Sequence, residues 1–175
     1  MGVELRYHGE LAGQVREDLV GVYAEVRAPL LHLANYSVEA FGERLDRHLD
    51  GAGFGLVLAY EGGVAVGYAY GNSVGADDPY WGRMAEPLPE GFTEAPVLAL
   101  REIGVRDSRR GTGVARQLHD ELLARRGEGR AVLMVNPAAG DGKVQAVYER
   151  WGYRVFNSQA ATPDSPRLAV MLRER

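Results

Sequence analysis

The run Val105-Arg106-Asp107-Ser108-Arg109-Arg110-Gly111-Thr112-Gly113-Val114-Ala115 carries the clearest chemistry in this 175-residue chain. It starts at the end of an apolar, strand-like segment and leads into an amphipathic helical pattern. A helix start offers unpaired backbone N–H groups and the positive end of the helix dipole, a combination suited to a phosphate. Gly111 and Gly113 let the backbone approach an anion closely and can take φ > 0 without a Cβ penalty. A surface turn rich in Arg and Gly is the plainer reading of such a fragment alone. The strand before it and the helix after it supply the context that an anion loop needs. No Gly-Lys-Ser/Thr follows, so it is not a Walker loop, and the full GxGxxG fingerprint is missing.

Arg110-Gly111-Thr112-Gly113-Val114-Ala115 resembles the cofactor loop of the GNAT superfamily of N-acetyltransferases, Gln/Arg-x-x-Gly-x-Gly/Ala, at every specified position. Two further stretches extend the resemblance. Leu100 to Val105 looks like the family's preceding strand, which often carries a Glu before an apolar residue. Val147-Tyr148-Glu149-Arg150-Trp151-Gly152-Tyr153 looks like its late Tyr-x-x-x-Gly-Phe/Tyr signature. The three motifs stand in the family's order over residues 97 to 154, whereas residues 1 to 96 match only in their succession of elements.

The resemblance implies acetyl-CoA as co-substrate. Arg110, Gly111, Gly113, Ala115 and Arg116 would then hold its diphosphate. Backbone groups of Ile103 and Val105, on a splayed strand, would bond the pantetheine arm, joined by Asn136. Relatives often carry a second Asn six residues before the tyrosine, where this chain has Gly142. Acetyl transfer to an amine needs a neutral nucleophile, and a lysine-like amine with pKa near 10.4 costs about 4 to 5 kcal/mol to deprotonate at pH 7. Glu102 is the candidate base. Its structural alternative is an ion pair with Arg101 or Arg154 on a solvated sheet face. Tyr148 is the candidate acid for the departing thiolate, against the alternative of a packed aromatic.

Positioning these residues requires alternating elements. Val3 to Tyr7 suits a first strand, and Leu11, Val15, Leu19, Val22 and Val26 recur at helical spacing before Pro29. Ser37 is placed to cap a second helix with Val38, Phe41, Leu45 and Leu49 on one stripe. Phe54 to Tyr60 and Val64 to Tyr70 read as strands joined by the turn Glu61-Gly62-Gly63. Asn72 to Pro96 shows no periodicity and reads as a long loop. Its Tyr80 and Trp81 either line a pocket or anchor the loop. Val97 to Val105 is the strand feeding the anion turn and Val114 to Arg126 the helix after it. Ala131 to Asn136 suits a buried strand, Lys143 to Trp151 a helix, and Tyr153 to Asn157 and Leu168 to Arg173 two closing strands. The expected fold is α+β, GNAT-like: a mixed, mostly antiparallel sheet of six to seven strands flanked by about four helices, in a single domain over residues 1–175.

Composition narrows the function classes. A hydrophobic fraction of 46% and a charged fraction of 25% suit a globular protein. Without cysteine there is no disulfide, thiolate metal site or Cys nucleophile. His8, His32, His48 and His119 are scattered without metal-ligand spacing, and His119 reads as a solvated helix residue. No apolar run reaches membrane-helix length and Met1 to Glu10 lacks a signal-peptide pattern, so the expected setting is cytoplasmic. A net charge of -4 argues against nucleic acid as a partner. Ser73 to Ala95 holds Asp77, Asp78, Glu86, Glu90 and Glu94 against Arg83, a net of minus four. This segment either attracts a cationic acceptor or merely solvates a loop.

The sequence thus predicts an acetyl-CoA-dependent N-acetyltransferase acting on a primary amine of a small molecule or peptide by direct attack in a ternary complex. No membrane partner is expected, and homodimer formation stays open. A non-catalytic acyl-CoA-binding sensor or regulatory domain is the main alternative. A nucleotide-phosphate module is a third, disfavoured by the missing Walker residues.

Overall fold

Seven strands and four α-helices follow one another in a computed structural model that describes residues 2–175. They are β1 (Glu4–His8), α1 (Gly13–Val26), α2 (Val38–Leu49), β2 (Gly55–Glu61), β3 (Val64–Val74) and β4 (Val97–Val105), then α3 (Val114–Ala124), β5 (Arg130–Val135), α4 (Lys143–Arg150), β6 (Arg154–Gln159) and β7 (Leu168–Glu174). The sheet order is β1-β2-β3-β4-β5-β7-β6. The β1–β2, β2–β3, β5–β7 and β6–β7 pairs are antiparallel. The β4–β5 pair is parallel, through Leu98↔Ala131 and Ala99↔Val132. This is the expected mixed, mostly antiparallel α+β sheet. No helix among the described residues is long and apolar enough to cross a membrane.

Two compact units make up the chain, one running through Asn72 and resuming over Arg101–Arg126, the other comprising Ser73–Leu100 and Gly127–Arg175. In the first unit, Leu19, Val22 and Tyr23 of α1 and Phe41 and Leu45 of α2 form one cluster with Leu56, Leu58, Tyr60, Tyr68 and Tyr70 of β2 and β3. The rings of Tyr23 and Phe41 stack with centroids 3.8 Å apart. Side chains alternate along β2, so Val57 and Ala59 take the opposite face, and α3 packs on the same strand. Ser37 caps α2 as its type and position predict, its Oγ accepting from the Ala40 N–H at 3.1 Å.

In the second unit, Val74, Tyr80, Trp81, Phe92, Val97, Ala99, Val132 and Leu172 form another core. The segment read as a structureless loop is therefore partly built in. β3 continues past Tyr70 to Val74, because ladder pairing such as Gly55↔Gly71 carries it through residues of low strand propensity. Asp78 Oδ1 caps a short 3-10 turn, Pro79–Trp81, by accepting from the Tyr80 N–H at 2.9 Å. Trp81 Nε1 donates to the Gly75 carbonyl at 2.9 Å, and its ring meets Phe92 edge-on. Of the two readings for Tyr80 and Trp81, anchoring the loop is what their packing does.

Candidate active site

The anion turn sits where strand β4 hands over to helix α3. Arg106 N–H donates to the Val66 carbonyl at 2.9 Å, tying the end of β4 to β3. A short 3-10 turn, Asp107–Arg109, follows. Arg109 then turns away, its Nε and Nη2 both donating to Glu61 Oε2, the former at 3.0 Å. Arg110 remains exposed beside Asp107, with Nη2 to Oδ1 at 2.9 Å. Thr112 Oγ1 closes the turn by donating to the Arg109 carbonyl at 2.6 Å.

Both glycines are required by backbone shape. Gly111 has φ +72° and Gly113 φ +86°, the latter as N-cap of α3. A Cβ at Gly111 would meet nothing within 4 Å, and one at Gly113 only the Gln117 amide at 4.0 Å. The surface in front of the turn is thus open to a ligand. The first amide bonded within the helix is Gln117 N–H, to the Gly113 carbonyl at 3.1 Å, so the amides of Val114, Ala115 and Arg116 lead the helix as anion donors. Arg116 also pairs with Asp120, at 2.6 Å. These features fit a diphosphate.

Glu102 lies on β4, three residues before Val105, with its side chain only 15% exposed. Neither arginine named from the sequence is its partner. Arg101 Nε donates to Asn72 Oδ1 at 2.7 Å, and Arg154 is exposed on β6 of the other unit. Glu102 stands instead between Arg27, the C-cap of α1, and Arg44 of α2, at 3.8 Å from Oε1 and 3.7 Å from Oε2. Both separations exceed hydrogen-bond length. Burial pushes the Glu102 carboxyl above the ordinary carboxylate range, with Arg44 and then Arg27 opposing it.

Tyrosines of the same unit line this corner. Tyr23 hydroxyl donates to the Tyr36 carbonyl at 2.9 Å, and Tyr70 hydroxyl meets His48 Nδ1 at 3.1 Å. Burial, reinforced by Arg101, Arg44 and Arg47, lowers His48 to about 3, so the ring is neutral and its Nδ1 can accept a hydrogen bond from the Tyr70 hydroxyl. Tyr68 is buried against β4, where Gly104 makes room for it: a Cβ there would lie 2.8 Å from its ring. Burial raises the phenols of Tyr68 and Tyr70 far above their usual range.

Arg27 and Arg44 were not singled out by sequence reasoning. Arg27 follows Tyr23 by four residues and Arg44 follows Phe41 by three, so each continues an apolar helical stripe with a cation. That placement was the available signal. His119 is the opposite case: it is fully buried on α3 with Nδ1 2.8 Å from Asp120 Oδ1, not solvated. It shares the inward arc of Leu118, Leu122 and Leu123.

Asn136 and Tyr148 belong to the second unit. Asn136 follows β5 and is exposed, its Oδ1 accepting from the Ala138 N–H at 3.0 Å. The chain then passes three successive left-handed residues, Gly140, Asp141 and Gly142, of which Asp141 at φ +54° is the only non-glycine in that region among the described residues. Gly142 caps α4 there, at φ +85°. Tyr148 is half-buried on α4, edge-on to Trp151 and Tyr153. The helix ends in a Schellman closure: Tyr153 N–H to the Tyr148 carbonyl and Gly152 N–H to the Glu149 carbonyl, both at 3.0 Å. Gly152 at φ +91° makes the closure possible and Tyr153 is buried behind it, which accounts for the Gly-Tyr part of the signature.

The sheet order and the glycine turn between the fourth strand and third α-helix are those that the resemblance to acetyl-CoA-dependent transferases implies. Residues 19–153 match the profile of the Acetyltransferase (GNAT) family, and the chain belongs to that family, whose acetyl donor is acetyl-CoA. No curated protein matches it by sequence. Solved structures share the fold at low identity. One, described as histone acetyltransferase HPA2 and related acetyltransferase from Corynebacterium glutamicum, has a TM-score of 0.68 at 18% identity, covering 99% of this chain and 97% of that one. A GNAT-family acetyltransferase from Streptococcus agalactiae has 0.68 at 12%, covering 98% and 95%. The PaiA N-acetyltransferase from Thermoplasma acidophilum, solved in complex with coenzyme A, has 0.62 at 14%, covering 100% of both.

Proposed function

We propose that this acetyltransferase acts on a primary amine of a small molecule or peptide, by direct attack within a ternary complex. The observation that carries the reading is Glu102: a carboxylate only 15% exposed, on the strand that feeds the anion turn, whose burial raises its affinity for protons. The amides after Gly113, with Gly111, Ala115, Arg110 and Arg116, hold the donor's diphosphate. The backbone of Ile103 and Val105, and Asn136, hold its pantetheine arm. The amine nitrogen bonds to the thioester carbonyl carbon and the carbon–sulfur bond breaks. Glu102 accepts the proton that the nitrogen loses, and Tyr148 gives a proton to the sulfur. Raising the carboxyl above its usual range narrows the gap to an ammonium of pKa near 10.4 and makes the proton transfer less uphill. Most of the rate gain comes from holding amine and thioester together, with acid–base help secondary. The amine is cationic before it reacts, and the acidic segment Ser73 to Ala95 is the element that would attract it.

Release of free CoA thiol across a panel of amines tests the reaction. At least one primary amine should release CoA and gain one acetyl group, and Tyr148→Phe should then lower kcat roughly 10²-fold with acetyl-CoA affinity kept. Binding of acetyl-CoA without turnover on any amine would instead identify a sensor.

A further inference from the structure

The charge around Glu102 does not balance within its own unit. Two guanidinium groups face one carboxylate, from different helices, and neither comes within hydrogen-bonding range of it. Arg44 spends Nη1 on the Asn35 carbonyl at 3.1 Å and lies over the Phe41 ring. Arg27 Nε, Glu102 Oε2 and the Tyr68 hydroxyl are all shielded from solvent without a hydrogen-bond partner. Buried polar atoms left unpaired are costly, and an uncompensated buried charge more so. The corner therefore holds unused donors on a surplus cation and an unused acceptor on a carboxylate. Arg27 and Arg44 keep 30% and 28% of their side chains exposed, so a small molecule can reach them.

A ligand that fits both halves carries opposite charges close together. We infer that the acceptor is an amine bearing its own anionic group, a carboxylate or a phosphate, held by Arg27 and Arg44 while Glu102 faces the amine. The inference rests on the acetyl-transfer reading and adds the substrate class. Guanidinium groups present paired N–H donors that match either oxyanion, and they stay charged at any working pH. A plain polyamine meets the reverse situation here, with two fixed cations beside its attacking end.

Matched acceptors separate the possibilities. Amino acids are compared with their carboxamides, and aminoalkyl phosphates with the corresponding amino alcohols, by CoA release. In one of the two pairs, which identifies the anion, the charged member should have a kcat/KM at least about tenfold higher although its neutral mate has a comparable amine. Arg27→Gln and Arg44→Gln should each raise KM for that member about tenfold or more, shrink its advantage, and leave KM for acetyl-CoA unchanged. The wild-type ratios decide the matter even where one variant fails to fold, and Arg27, at a helix end, is the milder change. Neutral members that react as well as or better than charged ones overturn the inference and leave acetyl transfer standing. Absence of CoA release from every amine, with acetyl-CoA still bound, overturns both.

Discussion

At Glu102, burial and two nearby cations act in opposite directions on one carboxyl. Burial wins, so the proton is held to a higher pH than in an ordinary carboxylate. If this group accepts the amine proton, kcat rises as pH increases through its raised pKa, giving an acid limb above the usual carboxylate value. Arg44→Gln removes a charge that favours the ionised form, so the limb should move further upward. A pH profile of kcat at saturating substrates measures this, and a limb that stays put or falls would remove Glu102 as the titrating base.

On the proposed reading, the element that most constrains cofactor binding is the turn from β4 into α3. Its two positive-φ glycines and the leading amides of α3 form a surface on which any side chain intrudes. Gly113→Glu combines like charge against a diphosphate with a left-handed backbone that costs a non-glycine residue roughly 1 to 2 kcal/mol. Calorimetry should find acetyl-CoA binding abolished in a protein that stays folded by circular dichroism. Gly113→Ala carries the same backbone strain without the charge and should retain more of the affinity. Unchanged affinity in folded Gly113→Glu would move the diphosphate elsewhere. The end of α4 is governed by similar local physics, with Gly152 closing the helix and Tyr153 buried behind it.

Across the whole molecule the net charge of -4 equals that of the segment Ser73 to Ala95, so the remainder is neutral on balance. That segment is held by its aromatic anchors and by Asn157, whose Oδ1 accepts from the Glu86 N–H and whose Nδ2 donates to the Glu86 carbonyl. The backbone at Asp78 and Glu86 is thus held on an ordered path, and on the proposed reading the acids of this segment act as a standing field toward a protonated amine. Asp77→Asn, Asp78→Asn and Glu86→Gln together keep the cap at Tyr80 available while removing three charges. KM for the acceptor should rise, most at low salt, with KM for acetyl-CoA unchanged. An acceptor KM indifferent to both the triple variant and salt would leave these acids a solvating role.

What the sequence determined by itself was whatever short-range physics settles. Ser37 caps α2 because a hydroxyl three residues before an amide can reach it, and Gly111 and Gly113 mark a left-handed turn because only a missing Cβ makes it inexpensive. The order of strands and helices followed from apolar periodicity, and the three motifs lie on the elements expected of them. Boundaries moved where pairing overrode propensity, as in β3 running on to Val74. The surroundings of Glu102 were decided only by the tertiary structure. Arg27, Arg44 and Glu102 come from two helices and a strand far apart in the chain, and no local rule selects Arg27 and Arg44 over Arg101 and Arg154. His119 became buried for the same reason: the packing of α3 on β2, rather than the polarity of the residue, chose which arc of the helix turns inward.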